Sequence, residues 1–134
     1  MEGEKRAIAI SNVITPSGRA VRARKSVAAW DLSTADITGA GVWIEKSLSA
    51  IVPAGTKAID LKVEINGLAG SYIRFAGTEG QNVYNSKAAR VVTPGTVNEY
   101  QFTVPISNKK LWIYASNVAG DYTVFNGLVC GWWK

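Results

Sequence analysis

Lys57-Ala58-Ile59-Asp60-Leu61-Lys62-Val63-Glu64-Ile65, then Asn66-Gly67-Leu68-Ala69-Gly70, then Ser71-Tyr72-Ile73-Arg74-Phe75 is the most regular run of the chain. Ile59, Leu61, Val63 and Ile65 alternate without a break with Asp60, Lys62 and Glu64. Period two places one set on a buried face and the other in water, as in a strand. At helical spacing the same residues would scatter around the cylinder and bury nothing. Asn66-Gly67 and Gly70 tolerate positive φ, so a turn is expected there. Ile73 and Phe75 then resume an apolar face, with Tyr72 and Arg74 opposite. The expected structure is a hairpin near the middle of a β-sandwich.

Outward from this centre, the same pattern recurs in short pieces. Before it, Val27 to Leu32 is a strand candidate. Val42 to Val52 is a strand pair or one bent strand, and Pro53-Ala54-Gly55 is a turn. After it, Val83-Tyr84 is a short edge-strand candidate and Ala88 to Val92 another strand. Tyr100, Phe102, Val104 and Ile106 alternate with Glu99, Gln101 and Thr103, and Pro105 marks an edge strand or a strand end. Leu111, Ile113 and Ala115 alternate with Trp112 and Tyr114. Tyr122 to Trp133 is the last and most apolar strand, with Val124, Leu128 and Cys130 on one face and Phe125 and Val129 near the other. Apolar residues on both faces imply cover on both sides. Either the strand is central and bent at Gly127 and Gly131, or one face meets another subunit. Loops and a basic arm are poor cover for Phe125, Val129 and Trp133, so a neighbouring copy is the expected cover. No segment holds a helical period, and about eight or nine short strands with regular turn signals predict an all-β, antiparallel sandwich or barrel.

The 134 residues suffice for one domain with a real core. Apolar residues make up 47% of the chain and charged residues 19%, the balance of a globular rather than a disordered chain. No apolar run reaches the roughly 20 residues of a membrane helix, so no membrane insertion is expected. Glu2 and Glu4 near the start, with no apolar run after them, predict synthesis without a signal peptide. The net charge of +5 is uneven, because residues 1–25 hold Lys5, Arg6, Arg19, Arg22, Arg24 and Lys25 against two glutamates. Two parts are therefore expected: a basic, extended N-terminal arm over residues 1–25 and a β-sandwich domain over 26–134. The arm residues Arg19, Arg22, Arg24 and Lys25 are the candidates for docking on a negatively charged partner. They lack interleaved aromatics and the domain has no matching basic face, which favours a protein-docking or a solvated arm over nucleic-acid binding.

Chemistry is sparse. The chain has no histidine and one cysteine, Cys130. This removes the commonest general base and the usual zinc ligand sets, and leaves no intrachain disulfide. Cys130 reads as a small buried hydrophobe rather than a nucleophile. Asp60 and Glu64 share a strand face, but Lys62 lies between them, so a solvated face is preferred to a catalytic pair. Asn117, Asp121 and Asn126 are a weak calcium set without EF-hand spacing. No cofactor, metal or catalytic residue is expected. The aromatics carry more information. If Leu111 and Ile113 point inward, Trp112 and Tyr114 point outward, where they can stack on sugar rings or fill a subunit interface. With the faces swapped they would be core. Trp132 and Trp133 cannot both point inward from one strand.

Val52-Pro-Ala-Gly-Thr-Lys-Ala58, Ser71-Tyr-Ile-Arg-Phe75, Ile113-Tyr-Ala-Ser-Asn117 and the terminal Gly131-Trp-Trp133 resemble the small β-sandwich domains of bacteriophage virions, found in tail fibres and capsid-decorating (cement) proteins. The resemblance spans about two-thirds of the chain, from Ile51 onward. It implies a jelly roll, a homotrimer, no catalytic role, residence in the virion after synthesis in the host cytoplasm, and attachment to capsid or tail proteins, to a host surface glycan, or to both. Trp112, Tyr114, Phe125 and Trp133 are then the candidates for a subunit interface or glycan stacking.

Overall fold

The structure, a computed structural model, describes residues 12–14, 20–24 and 27–134. Among the described residues ten strands follow one another: β1 (Asn12–Ile14), β2 (Ala20–Ala23), β3 (Leu32–Ser33), β4 (Trp43–Ser47), β5 (Ala58–Gly67), β6 (Tyr72–Ala76), β7 (Lys87–Arg90), β8 (Asn98–Pro105), β9 (Lys110–Ala115) and β10 (Tyr122–Trp133). Two short 3-10 turns, Thr34–Asp36 and Ala119–Asp121, are the helical elements among these residues.

All pairings are antiparallel. One sheet runs β1-β2-β10-β5-β8, with β3 also pairing β10, and the other runs β4-β9-β6-β7. Setting β1 and the two-residue β3 aside, the remaining eight strands in chain order lie as 1-8-3-6 in one sheet and 2-7-4-5 in the other. That winding is a jelly roll, two Greek keys closed face to face. The expected all-β sandwich with jelly-roll character is what the chain forms, and the barrel alternative falls away.

The central stretch contains strands where expected, but they do not form a hairpin. β5 lies between β10 and β8, and β6 between β9 and β7, so the two belong to opposite sheets. Both edges of β5 are already taken by the registers Val63↔Gly127 and Val63↔Tyr100. The connection is a corner of the sandwich. Gly67 has φ +156° and packs so closely on the backbone of Asp121 and Tyr122 that a Cβ would collide. Leu68 N–H then bonds Asp121 O at 3.0 Å, and the Ser71 hydroxyl closes the turn on Leu68 O at 2.6 Å. Period two thus identified the inward face correctly and said nothing of the partner strand.

Two other expected strands are not formed. Val83-Tyr84 is a turn, because the Asn82 and Asn85 side chains take backbone N–H groups there at 2.9 Å and leave Tyr84 fully out in water. Val27 to Leu32 yields strand only at Leu32–Ser33, where Ser33 immediately caps the first 3-10 turn. The arm, in which Ala7 to Ile14 reads as a short strand or an extended arm, contains two strands among its described residues: β2 pairs β10 (Arg22↔Trp132), and β1 pairs β2. Pro105 does end an edge strand, since β8 is the border of its sheet.

The inner faces meet in one core. Ile59, Leu61, Val63 and Ile65 of β5 and Phe125 and Val129 of β10 face Ile73, Phe75, Leu111 and Ile113 of the other sheet, and none is more than 2% exposed. Phe75 lies between Phe125 and Phe102, with ring centroids 6.3 and 6.0 Å away. Each such side chain contributes about 1.5–3 kcal/mol on burial. The expected outward position of Phe125 is therefore corrected. Phe125 pairs with Ile65 and Val129 with Leu61, so alternation puts both on the core face, while the register shift between Val129 and Gly131 sets Trp132, opposite Ile59, toward the core.

Candidate functional site

The outer face of the four-stranded sheet carries a cluster of aromatic and cationic side chains. Because Leu111, Ile113, Ile73 and Phe75 are drawn into the core, alternation turns Trp112, Tyr114, Tyr72 and Arg74 outward. Pairing then sets Trp43 of β4 opposite Tyr114, Arg74 opposite Tyr114 on the other side, and Arg90 of β7 opposite Tyr72. The rings form a continuous row. Trp43 and Tyr114 centroids are 5.3 Å apart, and Tyr114 and Tyr72 are stacked at 6.5 Å. Arg74 and Arg90 both lie over the Tyr72 ring, 5.1 and 4.9 Å from its centroid. All four aromatic residues on this face are half-buried, while Arg90 is exposed.

Trp112 and Tyr114 thus occupy the outward face expected of them. Trp43, Tyr72, Arg74 and Arg90 complete the cluster, and sequence reasoning did not assemble it. Alternation alone marks each as outward on its own strand. Only the order β4-β9-β6-β7 makes them neighbours.

The other candidates lie elsewhere. Trp132 packs toward the core, while Trp133 turns to the outer face of the six-stranded sheet, where its indole N–H donates to Asp60 Oδ1 at 3.2 Å. Asp60 also accepts from Thr103 at 2.9 Å, and Glu64 accepts from Asn126 at 3.4 Å, so both carboxylates serve as partners within the sheet face. Asn126 of β10 bonds Glu64 on the neighbouring β5, whereas Asn117 and Asp121 are bonded to each other at 3.2 Å, so the three do not converge. Cys130 is half-buried, and burial raises its thiol pKa, leaving the weakly nucleophilic protonated form.

Within the arm, Arg24 is held internally. Its guanidinium pairs with Asp31, donates to Val129 O at 3.2 Å, and its backbone N–H bonds Cys130 O at 2.8 Å. Asp31 in turn accepts from Val129 N–H at 2.8 Å, filling the ladder position between β2 and β3. Arg22 contributes its backbone to β2, and Arg19 and Lys25 lie outside the described residues.

A second surface lies on the six-stranded sheet. The segment after the arm crosses its outer face, where Val27, Ala28, Ala29 and Trp30 border a groove of about 340 Å³ with Leu128 and Lys62. Trp30 is 40% exposed there, with the Lys62 ammonium 5.9 Å from its ring centroid. Glu99 holds Lys62 charged through a 2.9 Å ion pair and raises its pKa. This segment supplies cover for β10 from within the chain, a role expected of a neighbouring copy.

No helix among the described residues is long and apolar enough to cross a membrane. Comparison with models of known protein families and with curated proteins finds no match.

Proposed function

We propose that this chain is a non-enzymatic structural protein of a bacteriophage virion, attached to the capsid or tail surface and self-associating, as a trimer, in its assembled form. The observation that carries this reading is the groove around Trp30. An exposed tryptophan and valine stand over Leu128 on the outer face of a sheet, immediately after a segment that holds +4 of the net +5 charge. An apolar groove joined to a cationic arm suits docking on an acidic protein surface. The jelly roll adds support by analogy only, since viral capsid domains and lectins share it.

The test is co-purification of the chain with particles from its native source, followed by sedimentation of added wild type and Trp30→Glu. Because Trp30 is exposed, the variant should fold normally and lose particle binding. Equal sedimentation of both proteins rejects the groove, and absence of the chain from any particle rejects the virion reading. Light scattering reports the oligomer.

A second reading, a carbohydrate-binding receptor-recognition module, is favoured by the row Trp43, Tyr114 and Tyr72 on the opposite face. The two readings use different faces and are compatible in one molecule.

A further inference from the structure

We propose that the outer face of β4-β9-β6-β7 binds a saccharide bearing a carboxylate, the acidic unit of an anionic polysaccharide, with Arg74 and Arg90 taking the carboxylate and Trp43, Tyr114 and Trp112 bordering the sugar. This rests on the carbohydrate-binding reading and names its ligand class.

On this face Glu45 is the one acid among the described residues of the four strands, and Lys110 takes it at 3.3 Å. Arg74 and Arg90 remain. Among the described residues neither has a carboxylate within ion-pair distance, and Arg74 has a hydroxyl, Ser86 Oγ, at 3.4 Å. Yet both guanidiniums are brought over the same ring. Two like charges held about 5 Å from one ring centroid make a local positive potential, and an oxyanion bound beside them is attracted by both. The cation–π contact with Tyr72 also restrains each guanidinium, so less entropy is lost when its N–H fork meets a planar carboxylate.

The surroundings fit a sugar. Opposite Arg74 stands the small, half-buried Ala88, which leaves one flank of the arginine uncovered. The half-buried row of Trp43 and Tyr114 begins beside Arg74. Apolar ring faces next to an oriented cation pair match a pyranose with an acidic substituent. A nucleic-acid strand fits less well. It needs a run of cations along its backbone, and here Glu45 interrupts the row in register with Trp112.

The experiment is isothermal titration of the full chain with tetragalacturonate, its methyl ester, maltotetraose, tetraglutamate and a dT tetramer. Tetragalacturonate should bind, and esterification should weaken it about tenfold or more, the loss expected for a charge-assisted contact. Arg90→Gln, on an exposed position of an edge strand, should keep the wild-type melt and weaken tetragalacturonate by a similar factor. Arg74→Lys should also weaken it, although charge is retained, because the flat fork is gone. Ester and acid binding equally, Arg90→Gln binding as wild type, or tetraglutamate or dT tetramer binding as tightly as the sugar would each overturn the inference. Maltotetraose binding with no advantage for the acid overturns the inference and leaves the carbohydrate reading standing. Binding of no saccharide overturns both.

Discussion

Tyr122→Phe removes one oxygen from the seam between the two sheets. Tyr122 opens β10, is 4% exposed, and sends its hydroxyl across the sandwich to Tyr72 O at 2.7 Å. The same oxygen accepts from Asn117 N–H at 3.3 Å and lies 3.3 Å from Ser116 Oγ. The Tyr72 carbonyl keeps a second donor, Ser116 N–H at 3.0 Å, so its loss is small. Asn117 N–H loses the acceptor the hydroxyl provides. One net hydrogen bond of about 1 kcal/mol and a desolvated donor of about the same cost give about 2 kcal/mol. For a domain of this size that lowers Tm by roughly 6–10 °C. The pH dependence is a second readout. Burial raises the Tyr122 pKa above its ordinary value near 10, against the opposing pull of the Ser116 and Asn117 hydrogen bonds. The fold therefore favours the protonated phenol. Its contribution is complete below pH 10 and is lost as pH rises through the folded pKa. Lys62, also raised, loses charge over the alkaline range in both proteins and cancels in the comparison. Urea melts at pH 7 and in steps from pH 9 to 11 should show the wild type losing more stability than the variant above pH 10. A variant within about half a kcal/mol of wild type at pH 7, with a parallel alkaline limb, refutes the reasoning.

Asp31→Ala should cost about 2–3 kcal/mol and more than Arg24→Ala, because it deserts both the Arg24 guanidinium and the Val129 N–H. Denaturant melts with the reverse order would show that the ion pair, not the ladder bond, holds the segment. Gly127→Ala should destabilise by about 1–3 kcal/mol, since a Cβ there would lie 2.6 Å from Leu32 Cδ1. In the Leu32→Ala background the same change should cost much less, and equal costs in both backgrounds would remove Leu32 as the cause.

The residues between Lys57 and Phe75 show where sequence reasoning succeeds and where it stops. Alternation of Ile59, Leu61, Val63 and Ile65 with charged residues told which side of β5 is buried, and the same logic placed Leu111 and Ile113 inward and Trp112 and Tyr114 outward. Inside-outside assignment is local, because a pleated strand has a side-chain period of two wherever it sits. β10 shows the limit of even this rule. Apolar residues on both of its faces hid which one is core, and only the pairing with β5, Phe125 with Ile65 and Val129 with Leu61, decides that Phe125 is inside. The candidate face was legible only in pieces. Trp112 and Tyr114 came from one strand, and Tyr72 and Arg74 from another. Trp43 and Arg90 joined them because β4-β9-β6-β7 is the order in which the jelly roll lays its strands. Strand order is set by which backbone edges are free and which core faces fit when the chain closes, through contacts as distant in sequence as Val21 and Trp133. Composition and local period determine the β character, the buried face of each regular strand and the charge of the arm. The partner of each strand, the corner after Gly67 and the meeting of two arginines on one tyrosine arise only when distant backbone edges pair.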